Sequence, residues 1–284
     1  IFNTTYNGQS RVDAELTNGA DVTVFGTTAN PAGPHLAALA KVPGVTAAVP
    51  MMHRFAYVGA DLQDIYGIQP GQITKATRLS NALFPGASAQ SILAKLKATP
   101  DGVLVSEETV KDFQLHRGDR INLRLMSGSD HQYHVVPFHF IGVAREFPTA
   151  PKDSFLVANA SYIAKATGIA PAEYVMMKTS GQPAKVAQAV RASLNGAPGM
   201  QVKDIGSVTH IIGSSLTSVD LSGLTRIELT FAILIAAASA GLMLAPGFED
   251  RKRAFAILTA VGAKPGQLAA FLRYEALQVA AGGI

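Results

Sequence analysis

The apolar positions of the chain change their spacing partway along its length. Between residues 19 and 205 they fall in short runs separated by Gly and Pro. Ala20 to Phe25 (ADVTVF) alternates with period two, the pattern of a strand with one face buried. Pro34 to Val42 reads as a short helix, and Val45 to Val49 returns as a strand behind Pro43-Gly44. Phe55 to Val58 is a further strand that pairs nearby. Ala87 to Ala98 sets Ile92, Leu93 and Leu96 on one helical face, and the Thr99-Pro100-Asp101-Gly102 turn leads into a strand over Val103 to Val105. Ser106 is placed to cap the next helix, with Glu107 and Glu108 at the positive end of its dipole and Val110 and Phe113 turned inward. A strand from Arg120 to Leu125 follows Gly118-Asp119. Tyr133 to Val143 is also extended, but Pro137 predicts an edge strand or a broken one. Ser154 to Val157 is a strand, Asn159 caps a helix ending at Thr167-Gly168, and Tyr174 to Lys178 is a strand. In the helix Pro183 to Leu194, residues Val186, Val190 and Leu194 recur at i, i+4 and i+8. There is no period of 20 to 50 residues, so the expectation is an α+β domain over residues 1–205 and not a solenoid.

Beyond Ile205 the pattern is different. Val208 to Leu224 is expected to form a stalk helix (206–228), and Leu229 to Phe248 then runs for 20 residues without a charge between Glu228 and Glu249. Twenty helical residues at ~1.5 Å each match a ~30 Å hydrocarbon layer, so 229–248 is predicted to span a membrane. The alternative is a buried helix of a larger soluble protein, which seldom stays uncharged for so long. Ala236 to Gly241 are small enough for close helix contact in lipid. Arg251, Lys252 and Arg253, then Lys264 and Arg273, place the C-terminal side in the cytoplasm and residues 1 to about 225 outside. Leu268 to Ile284 is a second apolar stretch, expected to be the beginning of another span. Ile1 to Tyr6 lacks the basic, apolar and cleavage regions of a signal peptide and suits the exit of an earlier membrane helix.

Composition narrows the function. Charged residues make up 15% of the chain and hydrophobic ones 48%, against roughly 25% charge in ordinary soluble domains. The net charge of +4 comes without a run of like charges, so nucleic acid is a poor candidate partner. The absence of Cys excludes disulfides, thiolate metal sites and a cysteine nucleophile. His131, His134 and His139 are the densest set of potential metal ligands, but a strand period turns His134 away from the other two and Pro137 interrupts a helical one. Glu107 and Glu108 are explained by the helix start, and Asp61 and Asp64 by a turn and a solvated helix face. GxSxG, HExxH, GxGxxG and GxxxxGK[ST] are all missing. No enzyme activity, cofactor or metal is expected of this chain.

The segment 249–267 is more specific. Glu249, Asp250, Arg251, Lys252 and Arg253 form a charged cluster, followed by an amphipathic stretch with Phe255, Ile257, Leu258 and Val261. Gly262 can end that helix, and Lys264-Pro265-Gly266 turns into the next. The run GLMLAPGFEDRKRAFAILTAVGAKPGQLAAFLRYEA (Gly241 to Ala276) resembles the membrane exit and cytoplasmic loop of FtsX-like ABC transporter permeases. LTNGADVTVF, KVPGVTAAVP, GVLVSEETVKDFQLHRGDRINL, SFLVANASYIAKATG and AEYVMMKTSGQPAKVAQAVRASL resemble, in order, the MacB-like extracytoplasmic core domain of that family. The resemblance implies an ectodomain between the first two helices of a four-helix permease, a second permease unit, a lipid bilayer and a separate cytoplasmic ABC ATPase. It implies that Glu249 to Ala263 faces that ATPase and that transport, or mechanotransmission to a cell-wall hydrolase or a sensed ligand, follows ATP turnover. Two positions depart from the family pattern: Ala254, where Glu is frequent, and Thr259, where Arg is frequent.

Overall fold

The structure, a computed structural model, describes residues 12–150, 153–213 and 221–282, without the side chains of 212–225, 240–241, 243–251, 272 and 275–282. It divides into two compact units, Ile1–Ser218 and Val219–Ile284.

The first unit opens with a helix over 12–18 (α1) and the strand Val22–Phe25 (β1). A single helical turn, Leu36–Leu39 (α2), precedes the fourteen-residue strand Val45–Val58 (β2), and Asp61–Ile68 (β3) folds back on it. Helix Ala89–Ala98 (α3) starts where the Ser88 hydroxyl accepts the Ser91 N–H at 3.1 Å and buries Ile92, Leu93 and Leu96, as its periodicity requires. Strand Gly102–Ser106 (β4) runs into Glu107–Asp112 (α4), capped by Ser106 through the Thr109 N–H at 3.2 Å. Strand Arg120–Met126 (β5) alternates exposed and buried residues throughout, and Tyr133–Ala144 (β6) pairs antiparallel with it. Strand Phe155–Asn159 (β7), buried at all five positions, passes into Ala160–Thr167 (α5). Gly168 ends that helix at φ +72°, its N–H donating to Ala164 at 2.9 Å. Tyr174–Thr179 (β8), Pro183–Ser193 (α6), Gln201–Asp204 (β9) and Ile205–Gly213 (α7) complete the unit.

Strand order resolves these elements into two subdomains that share β2. Its first half belongs to an antiparallel sheet ordered β9-β1-β8-β2. With β1-α2-β2 and β8-α6-β9 as its two crossovers, this is a split βαβ arrangement. The second half of β2 pairs with both β3 and β5, and the ring β2-β3-β7-β4-β6-β5 closes into a six-stranded barrel inserted between the second and third strands of that sheet. The barrel is mixed, parallel at β3–β7 and β4–β6. Its interior is filled by Ile65, Leu123, Leu125, Phe138, Phe140 and their neighbours. A second cluster, with Phe155, Tyr66 and Leu96, packs α3 on the outside of the barrel; a third, with Val24, Val175, Leu39 and Val190, packs α2 and α6 on the sheet.

Three expectations are corrected here. Val45–Val49 and Phe55–Val58 are parts of the one strand β2, whose Pro50 pairs with Val175 of β8 in a stretch where β2 has no second neighbour, so the missing N–H interrupts no ladder. Pro137 likewise leaves β6 whole: it faces Asn122 of β5, and pairing with β4 begins only at His139. Asp61 and Asp64 lie on β3, not on a helix, because their segment completes the barrel.

The second unit contains Leu221–Ala260 (α8) and Pro265–Gly282 (α9). The charge-free run 229–248 lies within α8, with part of it outside the described side chains. Among the described residues no helix is long and apolar enough to cross a membrane. Residues 214–220 of the expected stalk and 283–284 of the last apolar stretch lie outside the described residues.

Candidate functional site

The chain passes between sheet and barrel twice, inside β2 at Met51–Met52 and between α5 and β8 at residues 168–173. At this joint the strand period turns Met52, Arg54, Ala56 and Val58 inward, so a guanidinium is carried into the core. Arg54 is 8% exposed and Glu173 2%. Arg54 Nε donates to Glu173 Oε1 at 3.1 Å, Nη1 to Thr167 Oγ1 at 3.2 Å and Nη2 to the Pro171 carbonyl at 2.9 Å; Glu173 Oε2 accepts the His53 N–H at 2.9 Å. Both charges are thus paired and hydrogen-bonded, the condition under which burial is tolerated.

Beside this pair the His53 ring is stacked between Tyr66 and Tyr174, with centroids 5.0 Å away on each side and planes inclined by 24° and 25°. Its Nδ1 lies 2.7 Å from the Tyr174 hydroxyl and its Nε2 2.5 Å from Asp64 Oδ1. Burial, reinforced by the Asp64 and Glu173 charges, pushes the Tyr174 hydroxyl up to about 12. Burial and Asp64 also hold Tyr66 far above the ordinary phenol range. Tyr174 therefore keeps its proton at neutral pH, and the Asp64 carboxylate, which can only accept, takes a hydrogen bond from the His53 Nε2–H. Tyr174, His53 and Asp64 come from β8, β2 and β3, so their side-chain contacts tie these three strands together. The cluster acts as a clasp between the subdomains. Sequence reasoning missed it because Glu173 and Tyr174 reach His53 and Arg54 only through the long-range β2–β8 pairing, and Asp64 only once 61–68 is a strand folded back on β2; the single local signal was Arg54 on the inward phase of a strand.

The residues that the sequence singled out for chemistry serve separate neighbours. His134 lies 2.7 Å from Asp130 and His139 2.7 Å from Asp101, while His131 sits at φ +57° in the β5–β6 turn. The Gln132 N–H, then His134, hold the Asp130 carboxyl below its usual range. Among the described residues no three potential ligands gather around a metal position. Glu107 pairs with Arg145 at 3.2 Å and Lys111 at 3.9 Å.

The expected coupling residues occupy the α8–α9 corner. Glu249, Asp250 and Arg251 fall in α8 with side chains outside the described set; Lys252 and Arg253 are exposed, Phe255 is half-buried and Leu258 is exposed. Gly262 closes α8 at φ +103°, its N–H donating to Thr259 at 3.1 Å and that of Ala263 to Leu258 at 2.9 Å, a Schellman-type end. The Lys264 N–H then donates to Gln267 Oε1 at 3.0 Å, and Pro265 begins α9 at the position where its missing N–H costs nothing. Helix stop and helix start are separated by a few residues whose backbone N–H groups, Val261 to Lys264, each have a partner, which favours a stiff corner. At Thr259 the hydroxyl donates to the Phe255 carbonyl of its own helix at 2.8 Å, so this position offers a partner no charge.

No protein-family model matches the chain, and no curated protein does. Among solved structures it is similar to the extracellular domain of the noncanonic ABC-type transporter YknZ from Gram-positive bacteria, at 16% identity and TM-score 0.42 over 64% of this chain and 99% of that one. It is also similar to the periplasmic region of MacB from Actinobacillus actinomycetemcomitans, at 15% identity and TM-score 0.40 over 71% and 97%. One neighbour is an extracellular domain and the other a periplasmic region, and the likeness to both is one of fold.

Proposed function

We propose that the chain is part of the membrane permease of an FtsX/MacB-type ABC transporter, with residues 1 to about 225 outside the cell, 229–248 across the bilayer and the α8–α9 corner facing a separate ATPase. The observation that carries this reading is the order of parts on one chain: a two-subdomain α+β body, a 20-residue run without charge, then a basic cluster ending in a stiff helical corner. A permease that transmits force needs a lever that does not dissipate the displacement at its turning point, and the partnered N–H groups of Val261 to Lys264 support that role. Export or extraction of a lipid, lipoprotein, peptide or drug is the corresponding work, carried out by a pair of permease units. The test is co-reconstitution with candidate cytoplasmic ABC ATPases from the same cell. The intact chain should alter ATP turnover, and deletion of Arg251 to Ala263 should abolish that effect while the barrel and sheet keep their amide protection. Turnover that responds equally to both chains defeats the proposal.

A further inference from the structure

Two clefts beside the joint share Met52, Gln69, Ala160 and Ala170 and form one continuous groove, about 360 Å³ at one end and about 680 Å³ at the other. The two ends differ in chemistry. The smaller is walled by Pro34, Leu36, Pro50, Met52, Pro171 and Ala172, with Gln69 as its single polar side chain. The larger carries Lys75, Lys97, Gln72, Asn159 and Ser161. No carboxylate lines either end, and among the described residues neither lysine takes part in an ion pair. Lys75 Nζ is held only by Gln72 Oε1 at 3.3 Å, and Lys97 Nζ approaches to 4.0 Å of where a side chain on Gly71 would begin. The head of α5 adds to the same potential: Asn159 gives its amide nitrogen to the carbonyls of Leu96, Thr99 and Pro100, so the helix begins without a side-chain cap and its positive end opens on the lysine side.

We propose that this groove binds a single-chain anionic amphiphile, a long-chain fatty acid, with its carboxylate between Lys75 and Lys97 and its chain along Met52 toward Pro34 and Ala172. Unpaired cations at one end and apolar walls at the other match one molecule that is anionic at its head and hydrocarbon beyond it. A wholly apolar peptide would leave both ammonium groups without a counter-charge, and a small free anion would leave the apolar end unfilled. Each end by itself falls within the roughly 300–1,000 Å³ of small-molecule sites. The site lies wholly within the first unit, so the proposal stands whether or not the permease reading does.

The test uses the full chain with a palmitate analogue carrying a diazirine near the chain end. Irradiation followed by peptide mapping should label Met52 and the 160–172 segment. K75E/K97E, which changes two exposed side chains, should lower that labelling by roughly tenfold, the effect of reversing two exposed ion pairs. Excess unlabelled palmitate should compete, and the alcohol of the same chain length should not. Labelling confined to 221–282, labelling unchanged by K75E/K97E, or equal competition by the alcohol or by an apolar peptide would each overturn the proposal. The charge-reversed chain reports its own folding through unchanged amide protection of β4 and β7.

Discussion

Breaking the Arg54–Glu173 pair from one side should be among the most costly single changes in the first unit. In R54M the carboxylate of Glu173, 2% exposed, loses the guanidinium at 3.1 Å and keeps only the His53 N–H at 2.9 Å. The Thr167 hydroxyl and the Pro171 carbonyl lose their donor as well. A buried charge stripped of its partner costs about 3–5 kcal/mol. E173M leaves the opposite charge stranded and should cost a similar amount. The double variant R54M/E173M removes both charges and fills the space with unbranched apolar side chains, so it should lie within about 2 kcal/mol of the parent, because the desolvation of two ions disappears with their attraction. The sequence has seven Tyr and no Trp, so urea unfolding followed by tyrosine fluorescence reads a signal to which Tyr66 and Tyr174 at the joint contribute directly. The double-mutant cycle then gives the coupling energy. Singles that cost less than about 1 kcal/mol, or a double variant as unstable as the sum of the singles, would refute the reasoning.

Other consequences follow from the same packing. Tyr174 has its proton held more firmly in the folded chain than in the unfolded one, so stability should be intact below pH 10 and fall as pH rises through about 12; Y174F should flatten that alkaline fall in a pH series of urea midpoints. A Cβ at Gly142 would sit 2.5 Å from Ile92 Cδ1 and 3.3 Å from Leu104 Cδ2, so G142A should destabilise by about 1–3 kcal/mol, and I92V, which deletes the nearer atom, should recover part of that loss. At Gly262, φ is +103° and no atom lies within 4 Å of an added Cβ, so G262A should cost only the backbone penalty of about 1–2 kcal/mol, read as faster hydrogen exchange at the Ala263 amide.

Local elements were legible because their signals are local. Ser106 marks a helix start through its side-chain hydroxyl and Gly168 a helix end through its backbone N–H, and Ile92, Leu93 and Leu96 announce the buried face of α3 by spacing alone. Pro137 misled for a reason that also is physical, and Pro50 shows the same one. Pro50 and Pro137 are incompatible with a strand paired on both sides, and a sequence does not display that β2 and β6 have one neighbour at those residues. Closure of the barrel was equally invisible, since β3–β7 and β4–β6 join segments separated by other strands and helices. The clasp inherits that invisibility: His53 and Tyr174 meet across 121 positions, and nothing near either one announces the other. The α8–α9 corner, built from Gly262, Lys264, Pro265 and Gln267 in succession, was readable at its Gly and Pro and hidden at Gln267, whose side chain reaches back to the Lys264 N–H.

The central claim is the sidedness of the chain, and the absence of Cys makes it directly measurable. Single-cysteine variants S129C, on an exposed turn of the barrel, and K252C, just past the charge-free run, would be exposed to a membrane-impermeant maleimide in intact cells and again after permeabilisation. The account predicts that S129C reacts in intact cells and K252C only after permeabilisation. Reaction of K252C from outside intact cells, or recovery of the full chain in the aqueous fraction after lysis, would contradict it.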